Sequence, residues 1–182
     1  MGFSRIPMDQ LLATPILLDH FHTKDLSNAV VAAPDVGSAK QSRTYARALD
    51  LPMVILDKER VGDKEKVVMR NIIGDPAGKD VLIVDDEILS GGSMIAAAEI
   101  LKEHGAQRVW AACTHGFFTK QALERIEASC IEEVVTTNTI PQVRDSRSTK
   151  LKVLSVAELF AKAVRAIHQG ESVGALFEYV HK

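Results

Sequence analysis

The sequence predicts an α/β fold, a mostly parallel open sheet flanked by helices, and three observations carry that prediction. Short apolar runs such as residues 29–33 (AVVAA) and 81–84 (VLIV) lack polar alternation, as strands buried on both faces do. Stretches with apolar residues at helical spacing separate these runs. Acids and glycines gather just beyond the ends of apolar runs, where open α/β sheets bind ligands. At 182 residues and 46% hydrophobic, the chain has the length for one sizeable core and reads as a single domain over residues 1–182.

Composition excludes several classes of function. A net charge of −2 supplies no basic field, so nucleic acid is not expected as a partner. No apolar run approaches the roughly 20 residues of a membrane helix, so no membrane partner is expected. The start MGFSRIPMDQ lacks a signal-peptide pattern, and Ile6 stands where a myristoylation signal has Ser or Thr. Cys113 and Cys130 lack metal-ligand spacing and sit among apolar residues, as buried free thiols in a reducing cytoplasm do.

Taken in order, residues 8–22 show helical spacing interrupted by Pro15, which predicts a short turn and then a helix from about Thr14. Residues 29–33 form a first strand ending at Pro34-Asp35-Val36-Gly37. A helix follows over residues 38–49, with Ser38 as N-cap. Ala39, Ala46 and Leu49 share its apolar face, and Lys40, Arg43 and Arg47 its polar one. Strand two covers residues 53–56 and leads into Asp57-Lys58-Glu59-Arg60; the charged run VGDKEK then reads as a loop. Residues 67–73 form a further strand, and GDPAGKD a turn.

After the strand at 81–84, a helix over residues 92–104 ends at Gly105, a residue suited to the left-handed position after a helix. Strands are expected at 108–114, 133–137 and 151–154, with helices at 120–128 and 155–168, the last stopped by Gly170. Residues 142–150 read as a loop and the tail ESVGALFEYV as a short helix. Trp110 is assigned to packing and His115 to a structural hydrogen bond; His20, His22, His104, His168 and His181 have no zinc spacing.

The chemistry concentrates in VLIVDDEILSGGS. Four apolar residues run into Asp85 and Asp86, and Ser90-Gly91-Gly92-Ser93 opens a helix. Glycines let backbone N–H groups approach an anion, the helix N-terminus adds its positive dipole end, and two hydroxyls can donate to phosphate oxygens. A carboxylate pair facing a diol or a metal, next to a phosphate cradle, is the implied arrangement. Neither the P-loop pattern G-x-x-x-x-G-K-[ST] nor the dinucleotide pattern G-x-G-x-x-G occurs in the chain.

The string VDDEILSGGS resembles the phosphoribosyl-pyrophosphate (PRPP) motif of type I phosphoribosyltransferases, an acid pair followed by a Thr/Ser-Gly-Gly-Thr/Ser turn. AAPDVGSAKQSRTYA, LDKER, MRNIIGD, THGFF, VTTNTIP, KVLSVAELFAKAVRAIH and GESVGALF resemble, in order, the C-terminal half of ribose-phosphate pyrophosphokinase. The resemblance runs from about Ile6 to Phe177. It implies a type I phosphoribosyltransferase-like fold without the family's N-terminal half, which supplies most of the ATP pocket. It also implies transfer of the diphosphoryl group of ATP to ribose 5-phosphate, giving PRPP and AMP with Mg²⁺.

Carried over by resemblance, Asp85 and Asp86 would hold the ribose hydroxyls, and Ser90, Gly91, Gly92 and Ser93 the 5-phosphate. Asp35 would help bind Mg²⁺. Lys58 and Arg60 would neutralise the transferring group, and Ser172 and Phe177 match a segment forming an allosteric site. Leu89 stands where the family often has an acid. A homo-oligomer, or pairing with a protein carrying the N-terminal half, is expected on the same ground. Two other functions compete: a stand-alone phosphoribosyltransferase using PRPP, for which no base-binding hood is evident, and a non-catalytic regulatory subunit of a full-length synthetase.

Overall fold

The computed structural model describes residues 6, 8–60, 67–119, 121–142, 148–174 and 176, with the side chains of 58–60 and 67–71 excepted. The expected loop at 61–66, most of the one at 142–150, Lys120 and the tail from Phe177 onward lie outside the described residues.

Among the described residues seven strands form one sheet: β1 (Ala29–Ala33), β2 (Met53–Arg60), β3 (Val67–Ile73), β4 (Asp80–Ile88), β5 (Val109–Gly116), β6 (Glu133–Thr137) and β7 (Leu151–Leu154). Their spatial order is β3-β2-β1-β4-β5-β6-β7, and every neighbouring pair is parallel except β2 with β3. The described residues also form the helices α1 (Thr14–Phe21), α2 (Ala39–Ala48), α3 (Gly92–Glu103), α4 (Ala122–Ala128) and α5 (Ala157–Gln169).

The absence of polar alternation in the strands has a direct cause. Side chains alternate between two apolar cores, one on each face of the sheet. Val30, Ala32, Val81 and Ile83 pack with Met94, Ile95 and Ala98 of α3 and Ile126 of α4. Val31, Leu82 and Val84 pack on the other face with Leu17 and Phe21 of α1 and Tyr45 and Ala46 of α2. Burying each Leu or Ile contributes roughly 1.5–3 kcal/mol, which holds β1 and β4 in fixed register at the sheet centre. Trp110 is in the second core, as expected of a packing residue, with Lys24 and Arg108 over its ring.

Three strands run longer than their apolar runs indicate, and one of them is β5, which continues through His115 to Gly116. β2 continues through Asp57, Lys58, Glu59 and Arg60, because antiparallel pairing with β3 satisfies the backbone N–H and C=O groups whatever side chains the segment carries. β4 continues past Val84 to Ile88, with Asp85 opposite Cys113, Glu87 opposite His115 and Ile88 opposite Gly116. Ser38 occupies the N-cap position of α2 but makes no capping bond; its hydroxyl donates to Asp35 instead. Cys113 is buried, whereas Cys130 is only partly so, correcting the expectation of two buried thiols.

Candidate functional site

The strand order reverses its sense of growth between β1 and β4. From β1 the chain goes to β2 and β3 on one side, then returns to place β4 on the other side and continues to β7. Such a switch point opens a crevice at the carboxyl ends of the strands. With Ala32 opposite Ile83 in the parallel register, Asp35 after β1 and Asp85 and Asp86 on β4 come to the same end of adjacent strands.

A cleft of about 340 Å³ lies there, lined by Asp85, Glu87 and residues 88–94. Thus Asp85, Ser90, Gly91, Gly92 and Ser93 come together around one cavity. Asp86 is outside that lining: strand alternation turns it the other way, toward α2, where Gln41 Nε2 donates to its Oδ1 at 2.7 Å. The Asp86 backbone amide donates to Asp85 Oδ1 at 2.8 Å, which orients the half-buried Asp85 carboxylate.

The turn leaves backbone donors open to the cleft. Gly91 has φ +71°, a left-handed conformation that a residue with a Cβ enters only at a cost, and its carbonyl accepts the first helical bond, from Ile95. Among the described residues no side chain caps α3, so the N–H groups of its first turn lie at the cleft without a side-chain capping partner there. Backbone bonds from Phe117 and Phe118 to Ile88 O and from Thr119 to Leu89 O brace the turn from the segment after β5. Phe118 itself has φ +39°, and a Cβ on Gly116 would come within 2.8 Å of Thr136 Oγ1, so this brace is tightly packed. Leu89, half exposed, is an apolar patch on the cleft wall.

From α4, the Arg125 guanidinium reaches the same turn, its Nη1 3.4 Å from Ser90 O. Ile126, the next residue, is fully buried and would meet a Cβ on Gly91 at 3.4 Å. Asp35 is exposed; its Oδ1 accepts from the Ser38 amide at 2.9 Å and hydroxyl at 3.0 Å. His115 Nδ1 bonds Thr139 Oγ1 at 2.8 Å, the structural role expected of it. Burial pushes the Cys113 thiol up to about 12, which removes it as a nucleophile.

Lys58 and Arg60 sit near the end of β2, opposite Met69 and Val67, just past a register shift; their side chains lie outside the description. Ser172 accepts the Gly174 amide in the turn after α5, and Phe177 lies outside the described residues. Among the described residues no helix is long and apolar enough to cross a membrane.

Sequence reasoning missed Gln41, Glu87 and Arg125. Glu87 carried a signal, since it lies two residues beyond Asp85 and shares its strand face if the strand continues. Arg125 carried none, because only the packing of α4 beside α3 brings it to a turn some thirty residues earlier in the chain.

Residues 59–178 match the phosphoribosyl synthetase-associated domain family. The chain belongs to that family. A ribose-phosphate pyrophosphokinase of Caldanaerobacter subterraneus subsp. tengcongensis is 45% identical over 177 residues, 97% of this chain and 56% of that protein. The crystal structure of phosphoribosylpyrophosphate synthetase from Mycobacterium smegmatis superposes with a TM-score of 0.84 at 32% identity, over 93% of this chain and 55% of that one. A purine phosphoribosyltransferase from Pyrococcus horikoshii, 20% identical with a TM-score of 0.50 over 79% of this chain and 84% of that one, shares the fold alone. This member of the synthetase-associated family therefore has the type I phosphoribosyltransferase-like fold. It spans about half the length of the curated relatives it matches.

Proposed function

We propose that the chain provides the ribose 5-phosphate site of a ribose-phosphate pyrophosphokinase, which passes the diphosphoryl group of ATP to ribose 5-phosphate and yields PRPP and AMP. One observation carries the reading: the uncapped start of α3 faces a cleft whose strand-side wall is Asp85, at the switch point of the sheet. The turn amides and the hydroxyls of Ser90 and Ser93 hold the 5-phosphate. Asp85 accepts from ribose hydroxyls, and Asp86, steadied by Gln41, adds its charge at the rim. The anomeric oxygen attacks the β-phosphorus of ATP. The bond from that phosphorus to the α–β bridging oxygen breaks, AMP leaves with that oxygen, and the hydroxyl proton passes to solvent. Lys58 and Arg60 offset negative charge on the group in flight.

The residues present fit a hard cation. Both Ser38 bonds to the Asp35 carboxylate fall on Oδ1, leaving Oδ2 for a ligand, and carboxylate oxygen suits Mg²⁺. Among the described residues no group of three or more His, Cys, Asp or Glu converges on a metal position. A Mg²⁺ ion at Asp35 would take further ligands from substrate phosphates and water. Bound there, Mg²⁺ would neutralise phosphate charge.

The same reading includes a homo-oligomer, or pairing with a protein that supplies the ATP half, in the cytoplasm, where the free thiols Cys113 and Cys130 stay reduced. Phe160, Val164 and Ile167 support assembly, as an apolar stripe of α5 that is 51%, 64% and 61% exposed. A regulatory phosphate or nucleotide site at Ser172 and Phe177 also belongs to it. The test is AMP formation from ATP and ribose 5-phosphate, by the chain alone and with a companion supplying the other half. AMP is expected, with a loss of at least about tenfold in Lys58→Ala. No AMP under either condition refutes the synthetase reading.

A further inference from the structure

We propose that Arg125 is a binding residue for the phosphate held at the Ser90-Gly91-Gly92-Ser93 turn, supplying the cationic side chain that the cleft lining lacks. The proposal rests on the sugar-phosphate reading above and adds to it a residue from a different helix.

A phosphate monoester is largely dianionic at neutral pH. The cleft offers it neutral amides and hydroxyls, and a helix start worth about half a positive charge. Its wall also carries the carboxylates of Asp85 and Glu87, and no basic side chain is among its lining residues. Electrostatically the cleft is incomplete for a dianion.

Arg125 completes it by position. A Cβ placed on Gly92 would lie 3.4 Å from Arg125 Nη2 and 3.6 Å from Ser90 Oγ. The hydroxyl that would donate to phosphate and the guanidinium therefore flank the same open space. Gly92, unlike Gly91, has no positive φ, so a glycine here is not demanded by the backbone. What its missing side chain provides is that space. The guanidinium is exposed, and among the described residues it forms no ion pair and makes no hydrogen bond besides the long 3.4 Å contact to Ser90 O. A fork of N–H donors held so loosely by its own chain remains available for an incoming oxyanion. Ile126 fixes its approach, packed in the core under Gly91.

The experiment is calorimetric titration of the full chain with ribose 5-phosphate, ribose and inorganic phosphate, at low and high salt, for wild type, Arg125→Gln and Arg125→Lys. A lost charge-assisted hydrogen bond predicts that Arg125→Gln weakens ribose 5-phosphate and inorganic phosphate by about tenfold to a hundredfold. Ribose affinity is unchanged, the salt dependence flattens, and Arg125→Lys recovers part of the loss. A purely bracing role would lower binding of ribose as well, or leave all three unchanged, and either result overturns the proposal. Arg125-dependent binding of inorganic phosphate without preference for ribose 5-phosphate keeps Arg125 as the anion's partner and sinks the sugar reading. A wild-type chain that binds neither anion overturns both.

Discussion

Gly91 and Gly92 are adjacent in one turn, yet their backbones make opposite demands, and alanine at each separates strain from space. Gly91 has φ +71°. Holding an L-residue in the left-handed region costs about 1–2 kcal/mol. A Cβ there would touch Ile126 at 3.4 Å and Ile95 at 3.7 Å, contacts that add little. Gly91→Ala is therefore expected to lose about 1–2 kcal/mol, a fall in thermal midpoint of about 2–8 °C for a chain of this size. Gly92 is the first residue of α3, where alanine is favoured over glycine by up to about 1 kcal/mol. Gly92→Ala should keep or raise the midpoint while its methyl intrudes between Ser90 Oγ and Arg125 and weakens ribose 5-phosphate binding. Thermal unfolding and calorimetric titration of both variants decide the matter. A Gly91→Ala chain that melts with wild type would refute the strain argument. A Gly92→Ala chain that binds like wild type would refute the account of the space beside Gly92.

Other expectations follow from packing and charge. Asp80 accepts from the Arg108 backbone amide at 3.2 Å, from Nε at 3.0 Å and from Nη2 at 2.6 Å, which ties the start of β4 to β5. Asp80→Asn should cost about 1–3 kcal/mol at pH 7 by chemical denaturation. Hydrogen bonds from Arg108 hold the Asp80 carboxyl below its ordinary value against the opposing effect of burial. Its contribution is therefore full above the unfolded value of about 3.9 and is lost as pH falls through the lower folded value. The wild-type advantage should shrink in that window, and an unchanged gap at pH 2 would contradict the pairing. Thiol labelling at pH 8 should find Cys113 inert in the native state, since burial raises it to about 12, and Cys130 slow; two fast native thiols would disprove this burial. Gly116→Ala should destabilise by about 1–3 kcal/mol through overpacking, because the added methyl meets the Phe118 ring and Thr136 Oγ1; a neutral result would mean the segment after β5 relaxes freely.

Much of the fold was legible because its determinants are local. β1, β3, β6 and β7 have the bounds their sequence runs indicate, since apolar content and flanking turn residues specify a doubly buried strand. Gly105 and Gly170 follow α3 and α5 in the left-handed conformation, as helix stops of that kind should. The short readings of β2 and β4 share one cause. Asp57 to Arg60 and Asp85 to Ile88 belong to strands through backbone pairing with β3 and β5, and polar side chains carry no record of a distant hydrogen-bonding partner. Ser38 was read as a cap from residue type alone, whereas the neighbouring Asp35 carboxylate takes its hydroxyl and amide.

By itself the sequence determined the fold class and the Ser90-Gly91-Gly92-Ser93 turn at the head of a helix, because glycine placement, hydroxyls and strand-to-helix order lie within one short stretch. Tertiary structure decided how the pieces face one another. It set Asp85 into the cleft and turned Asp86 toward Gln41, because β4 stays pleated through both residues. It put Asp35 at the neighbouring strand end through the β1–β4 register, and it brought Arg125 to the turn by packing α4 beside α3. Strand pleat, register and helix packing are relations between segments far apart in the chain, and no local pattern encodes them.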